Sequence, residues 1–378
     1  MFNRWSQFLW WTSVALWSGI ITAGLWPFNF YPRNETRWIG AGNGLHFDAY
    51  GQAYSTAGWA LNESSGSGNL SFTVELWLRP AETHHPQVSP IFSIHGASDD
   101  RNLSIAQSGP NFVVLGYFRD RNSGQEFRQL WFYDVFGGLQ PIFVTVTSGQ
   151  KGTILYRDAK QQPELYSNIF PERYFGRLLL GHATGGTVPW TGDIIGLAVY
   201  RREFSGDEIA QHNKDWLQHK PDLLPGAEAL YIFDEQAGDI IHNRSGSAPN
   251  LIIPARFKPL HPAVLVLPHP FRLHRIDTLL NILGFMPFGF VFCAYLKDAK
   301  HYSPRNAFVW AIICGVLTSL GIELLQVFLP SRDSSLLDVV NNVVGTTAGA
   351  FFQIRVHDSW RRTVWLLIPG TRGSLREG

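Results

Sequence analysis

Asp277, Glu323 and Asp338 are acids set inside otherwise apolar runs of a 378-residue chain. Each has an amide about one helical turn away: Asn281 after Asp277, Gln326 after Glu323, and Asn342 after Asp338, with Asn341 beside it. Spacings of three or four place both members of a pair on one face of a helix. A charge at the centre of a membrane helix costs about 2.5–3.5 kcal/mol on insertion scales, so these acids must face protein or water and be paired. Arg332, in the short segment Pro330–Ser335, is the expected partner of Glu323 and can be shared with Asp338. Two chemistries are open to such a group. As a binding pocket, it offers acids, amides and one guanidinium to a polar ligand. As a catalytic centre, Glu323 or Asp338 is the candidate general base and Arg332 the candidate holder of a phosphate. No nucleophile–base signature accompanies them, and nearby His274 reads as interfacial, so binding is preferred. Interhelical hydrogen bonding alone is the competing explanation. Three helices delivering acids at similar depth favour a pocket.

Four long, nearly uncharged runs must position these residues: Phe8–Trp26, Ile276–Leu296, Ala307–Leu329 and Leu336 to about Val356. Each approaches the ~20 residues that cross a hydrocarbon core. The first is read as a retained helix rather than a signal peptide. It is longer than an h-region, and it is flanked by Trp5, Trp10 and Trp11 on one side and Trp26 on the other, like an aromatic belt. Arg4, then Lys297, Lys300 and Arg305, then Arg355, Arg361 and Arg362 fall on one side of a chain that crosses four times. That side is cytoplasmic by the distribution of basic residues. Glu323 then lies about 9 Å below the outer end of its helix if the helix reaches Leu329. Pro287 is an expected kink; Gly289, Gly345 and Gly349 are expected helix-packing positions. The apolar piece Ala263–Leu267 is too short to span and reads as surface-lying.

Residues 31–258 differ in character. Phe72–Leu78, Asn111–Phe118, Ile142–Thr147, Thr153–Tyr156 and Ile194–Tyr200 are short runs rich in β-branched and aromatic residues, separated by Gly, Ser and Asn turns. Phe72–Leu78 alternates sides, with β-branched and aromatic residues. This pattern predicts an all-β sandwich. Asp48, Asp99, Asp100 and Asp193 are the acids available to calcium, but no dense ligand loop of the kind calcium needs is present, so surface turns are preferred. His84-His85 reads as a solvated loop, and the sequon at Asn69 matters only where that glycosylation exists. The two cysteines, Cys293 and Cys314, fall in spans and leave the outer domain without a disulfide. A net charge of +1 argues against a nucleic-acid partner. The 16% charged content, against roughly 25% for a soluble domain, is then an average over an aqueous and a lipidic part.

Two resemblances follow from particular residues. Gly44–Asp48, Phe72–Pro80, Phe143–Thr147 with Ile154–Tyr156, Gly192–Tyr200 and Phe204–Ile209 occur in an order that resembles the laminin-G-like, concanavalin-A-type jelly roll. Leu230–Gly238 with Asn243–Gly246 resembles the strand that usually opens such a domain but comes last, which implies a circularly permuted order. Asp277, Asn281–Gly289, Glu323–Gln326, Leu329–Arg332 and Asp338–Gly345 resemble the VanZ-like membrane family, and Leu25–Phe28 resembles its opening helix.

The fold expected is therefore a multi-domain membrane protein, a four-span α-helical bundle plus an all-β jelly-roll ectodomain. Its divisions are 1–30 (first span), 31–258 (sandwich), 259–275 (linker), 276–356 (three-helix membrane domain) and 357–378 (cytoplasmic tail). The resemblances imply the cytoplasmic membrane of a bacterium, with both termini inside, residues 31–275 outside and an envelope-related role. The expected partners are the lipid bilayer and a glycan, cell-wall polymer or lipid-linked precursor. No cofactor or metal is expected, with calcium in the outer domain as the alternative. A structural anchor for the ectodomain is the remaining reading.

Overall fold

The structure is a computed structural model that describes residues 4–40, 42–62, 70–96, 103–120, 124–168, 170, 173–182, 189–218, 227–258, 264–266, 275–332 and 334–365. The chain divides into two compact units, residues 32–261 and residues 1–31 with 262–378.

The first unit is a sandwich of two antiparallel sheets. One sheet has the order β1 (Thr36–Trp38), β2 (Leu45–Phe47), β14 (Gly192–Tyr200), β5 (Phe72–Pro80), β10 (Ile142–Gly149), β11 (Gly152–Arg157) and β12 (Lys160–Tyr166). A further strand, β15 (Ala227–Tyr231), pairs with the second half of β14. The other sheet has the order β16 (Ile240–Ile241), β17 (Leu251–Ile252), β3 (Ala53–Ser55), β13 (Arg173–Leu180), β6 (His85–His95), β7 (Leu103–Gly109), β8 (Asn111–Asp120) and β9 (Gly124–Phe132), and β4 (Trp59–Asn62) also pairs with β13. The segment from β15 to β17 thus adds one strand to the first sheet and two to the second at the end of the sandwich. Phe47, Phe72, Phe92, Phe112, Trp190 and Tyr231 are among the fully buried side chains of the core between the sheets.

The first sheet is covered on its outer face as well. Helix α2 (Gly206–Leu217) starts at a capping box: the Ser205 hydroxyl accepts from the Glu208 N–H, and Glu208 accepts from the Ser205 N–H at 2.8 Å. Ile209, His212 and Trp216, at helical spacing, turn inward onto Tyr200, Phe204 and Phe143. Thr73 and Glu75 of β5 are buried. His85 is likewise not in a solvated loop: it opens β6, is buried, and lies 2.9 Å from the Ser89 hydroxyl. Burial pushes its imidazole below the ordinary value, against the nearby Glu82 carboxylate.

The second unit is helical: α1 (Arg4–Leu25), α3 (Arg275–Ala294) continuing into a π-helical turn at Tyr295–Ala299, α4 (Pro304–Gln326) and α5 (Leu336–Trp365). Among the described residues, three helices are long and apolar enough to cross a membrane: Arg4–Leu25, Ile276–Ala299 and Pro304–Gln326. The expected count of four is corrected to three. The helix that drops out is α5, whose apolar content is diluted by Asp338, Asn341, Asn342, Thr346, Thr347, Gln353 and Arg355. It lies against α3 in parallel register. A Cβ at Gly345 would overlap the Ile282 carbonyl, one at Gly349 the Met286 carbonyl, and one at Gly289 the Thr346 carbonyl. The small residues thus bring two backbones into direct contact. Pro287 lies within α3. Helix α5 also runs on to Trp365, past the expected start of a tail. Trp5 is buried rather than part of a belt, its indole N–H donating to Asp298 at 3.1 Å.

Candidate functional site

In the helical unit, the C-terminal ends of α1 and α4 and the N-terminal parts of α3 and α5 surround a cavity of about 650 Å³. Helix α1 contributes Ile20, Ala23 and Gly24; α3 contributes Asp277, Thr278, Leu280, Asn281, Gly284 and Phe285; α4 contributes Ile322, Glu323 and Gln326. Ser331, Arg332 and Ser335 come from the connection to α5, and Leu337, Asp338 and Asn342 from α5 itself. The topology brings these together because α1 and α4 run in parallel and are tied side by side. Trp17 Nε1 donates to Thr318 Oγ1 at 3.0 Å, and Gln326 Nε2 donates to the Gly24 carbonyl at 2.8 Å. Of the polar residues singled out from sequence, Asp277, Asn281, Glu323, Gln326, Arg332, Asp338 and Asn342 line the cavity. Asn341 does not; it is buried elsewhere on α5, and its amide nitrogen has no partner among the described residues.

The three acids differ in depth. Asp277 is exposed at the start of α3, Asp338 is half-buried, and Glu323 is only 2% exposed. Helix α4 ends at Gln326 rather than near Leu329, so Glu323 sits in its last turn. Its expected ion pair with Arg332 does not form. Glu323 Oε2 instead accepts the backbone N–H of Ser335 at 2.7 Å. Ser335 immediately precedes α5, so the carboxylate lies at a helix N-terminus, where free N–H groups and the helix dipole favour an anion. The turn is closed by Leu329 N–H to Gln326 O at 2.8 Å and Arg332 N–H to Leu329 O at 3.1 Å. This turn carries Arg332 outward to the rim, where its Nε donates to the Trp26 carbonyl at 3.2 Å. Val266, in the piece expected to lie on the membrane surface, instead bridges to this connection: its N–H donates to the Ser334 carbonyl at 3.0 Å. On α5, Asp338 lies beside the Asn281 side chain. Asn342 donates to Ser319 Oγ at 2.9 Å, and its Oδ1 is buried with no partner among the described residues.

The sandwich carries two further acidic groups, and both are closed networks. Asp193 is buried and meets His46 Nδ1 at 2.6 Å and Arg79 Nε at 2.7 Å. His46 reaches on to Asp48, which accepts from Arg37 at 2.6 Å. Partial burial raises the Asp48 carboxyl, but the Arg37 hydrogen bond and His46 outweigh it, holding it below its ordinary value. These two acids are therefore engaged by cations of the protein itself, on adjacent strands in register. Asp99, Asp100, Asn69, His274 and the loop residue Asp333 lie outside the described residues. No group of three or more His, Cys, Asp or Glu among the described residues is placed to hold a metal ion. The second network, missed from sequence, centres on Glu75, which is fully buried. His212 Nδ1 lies 2.9 Å from Oε1, Trp216 Nε1 donates to Oε2 at 3.1 Å, and the Tyr200 hydroxyl lies at 3.4 Å. The capping box at Ser205–Glu208 ahead of Ile209, His212 and Trp216 was the signal that could have revealed it.

Residues 194–357 match the VanZ/LLP1 family, and residues 52–210 match the concanavalin A-like lectin/glucanases superfamily. The chain is thus similar to the first over its C-terminal part and to the second over its sandwich. The VanZ-like match begins within β14 and ends in α5; it leaves out α1, which the structure places on the cavity wall. A search of curated proteins finds no match. Among solved structures, the receptor binding domain of botulinum neurotoxin D aligns at 10% identity over 48% of this chain and 46% of that chain, with a TM-score of 0.33. The Ruminococcus gnavus IT-sialidase CBM40 bound to alpha2,3 sialyllactose aligns at 14% identity over 49% of this chain and 99% of that chain, with a TM-score of 0.31. The binding domain of Paraclostridial Mosquitocidal Protein 1 aligns at 10% identity over 49% and 46%, with a TM-score of 0.33. The chain spans less than half the length of the neurotoxin and mosquitocidal chains.

Proposed function

We propose that this protein is a two-part binding protein of the bacterial cell envelope. The bundle holds the polar part of an envelope amphiphile in its cavity, and the sandwich recognises a glycan or surface polymer. The observation that carries the first half is the cavity itself: residues from three helices and a loop, far apart in sequence, place three acids, several amides and a guanidinium around one space. The second half rests on the match of residues 52–210 to a superfamily that includes lectins.

The orientation proposed puts Arg4, Lys297, Lys300 and Arg305 on the cytoplasmic side, in keeping with the bias of basic residues. The cavity then opens in the outer leaflet, and residues 32–261, which leave the bundle after α1 and return before α3, lie outside.

The test compares lipids and lipid-linked saccharides that co-purify with the full-length protein and with Glu323→Gln, Arg332→Gln and Asp338→Asn. Loss of a bound amphiphile in variants that remain folded and inserted is expected; an unchanged complement in all three would make the cavity purely structural. Residues 32–261 applied to a broad glycan array, with and without calcium, are expected to select at least one class of glycan. A clean negative would remove the glycan half.

A further inference from the structure

We infer that the cavity selects a zwitterion, a primary ammonium carried next to a phosphate, as in an aminoethyl-phosphate headgroup. The inference rests on the binding function proposed above and names the chemistry bound. Among the described residues of the lining, Asp277, Glu323 and Asp338 outnumber Arg332, so that lining is anionic and calls for a cation. Glu323 is already held by the Ser335 N–H, which leaves Asp277 and Asp338 as the acids facing a guest. A second observation points to a donor rather than to a bare charge. Asn342 is 4% exposed, lines the cavity, and presents a buried Oδ1 with no partner among the described residues. A buried carbonyl oxygen left unpaired costs about 1–3 kcal/mol, and a rotation of the Asn342 side chain toward the cavity lets an ammonium with three N–H groups satisfy it together with the carboxylates. The acids are not gathered tightly enough to hold a metal ion among the described residues, which suits an organic cation that spreads its hydrogens over several acceptors.

Arg332 supplies the other half. It is exposed and its Nε donates to the Trp26 carbonyl; among the described residues the terminal guanidinium nitrogens have no further partner, which leaves them to an anion. Guanidinium binds phosphate strongly and with fixed geometry. Leu280 both lines the cavity and is 62% exposed, and Leu279 and Leu283 beside it are exposed as well. The cavity therefore opens onto the apolar exterior of a candidate span, where the tail of an amphiphile would lie.

Native mass spectrometry of the full-length protein in detergent tests this, with phosphatidylethanolamine, phosphatidylglycerol, phosphatidylcholine and water-soluble phosphoethanolamine as probes. Phosphatidylethanolamine is expected to be retained about tenfold better than phosphatidylglycerol, the difference of one charge-assisted hydrogen bond. Phosphatidylcholine, which cannot donate from its trimethylammonium, should be retained less well. Asp338→Asn, and Asp277→Asn at the exposed mouth, should each erase the preference for the ethanolamine lipid. Arg332→Gln should weaken phosphatidylethanolamine and phosphatidylglycerol alike. Displacement of the lipid by phosphoethanolamine would support the same headgroup chemistry from a soluble source; resistance to it would support the lipid. Equal retention of phosphatidylglycerol, lost in Asp338→Asn, would overturn the ammonium inference and leave the cavity as a binding site. No probe responding to any variant would overturn both.

Discussion

Glu75 in the sandwich and Asp338 in the bundle are both carboxylates set among apolar neighbours, and the protein treats them differently. Glu75 is met by an imidazole, an indole N–H and a phenol, and Asp193 by an imidazole and a guanidinium. Asp338 has one amide beside it and an open cavity in front, with an unpaired Asn342 oxygen below. A polar network that is satisfied from within holds a fold together. One left incomplete beside empty space is provisioned for something that arrives from outside. The contrast teaches that burial of an acid is not itself a sign of function; the state of its partners is.

The contrast can be broken most directly at Glu75. Glu75→Ala leaves the His212 and Trp216 donors buried without an acceptor, and thermal or chemical unfolding of residues 32–261 is expected to show a loss of about 3 kcal/mol. A loss near zero would mean that closed networks do not distinguish the sandwich. Gly349→Ala forces a methyl against the Met286 carbonyl and should cost about 1–3 kcal/mol in the bundle, read from the melting of the full-length protein in detergent. Asp338→Asn is the matching probe of the cavity. Its melting point should move by less than about 1 kcal/mol equivalent while ligand retention is lost, because the acid serves a guest more than the fold. A large destabilisation would place Asp338 with Glu75.

The smallest effect concerns the cap of α2. The Ser205 backbone hydrogen bond, with help from Arg202, lowers the Glu208 carboxyl from 4.5 to about 2. A depressed folded value means that its contribution is complete above the unfolded value and is lost as pH falls through the interval down to about 2. The pH dependence of unfolding of residues 32–261 between 4.5 and about 2 should therefore flatten in Glu208→Gln.

Helices α1, α3 and α4 were legible from uninterrupted apolar length, and the strands from β-branched runs between turns. The cavity residues were legible for a related reason: a polar side chain in an apolar run demands a partner, and a common depth along the helices put several together. Other features depended on tertiary direction. Arg332 misses Glu323 because the turn after Gln326 swings it to the rim and offers the Ser335 N–H in its place. The burial of Thr73 and Glu75 was not legible, because period-two alternation along Phe72–Leu78 reports two faces but does not say that α2 will cover the second. The standing of α5 was misjudged because its apolar stretches were weighed without its amides, which are the very groups that turn inward.

The backbone contact of α3 with α5 has a mechanical consequence. Helices seated carbonyl against Cα at Gly289, Gly345 and Gly349 have no side chains between them to slide or reorient, so the two act as one rigid plate. Asp277, Asn281, Asp338 and Asn342 all ride on that plate and keep their spacing whatever occupies the cavity. The opposite wall, α1 with α4, is joined by side chains such as Trp17 and Gln326, which can rotate about their bonds. The site is thus a fixed template facing an adjustable jaw, and any change of volume on filling falls to the helix from which the chain departs into its β-sandwich.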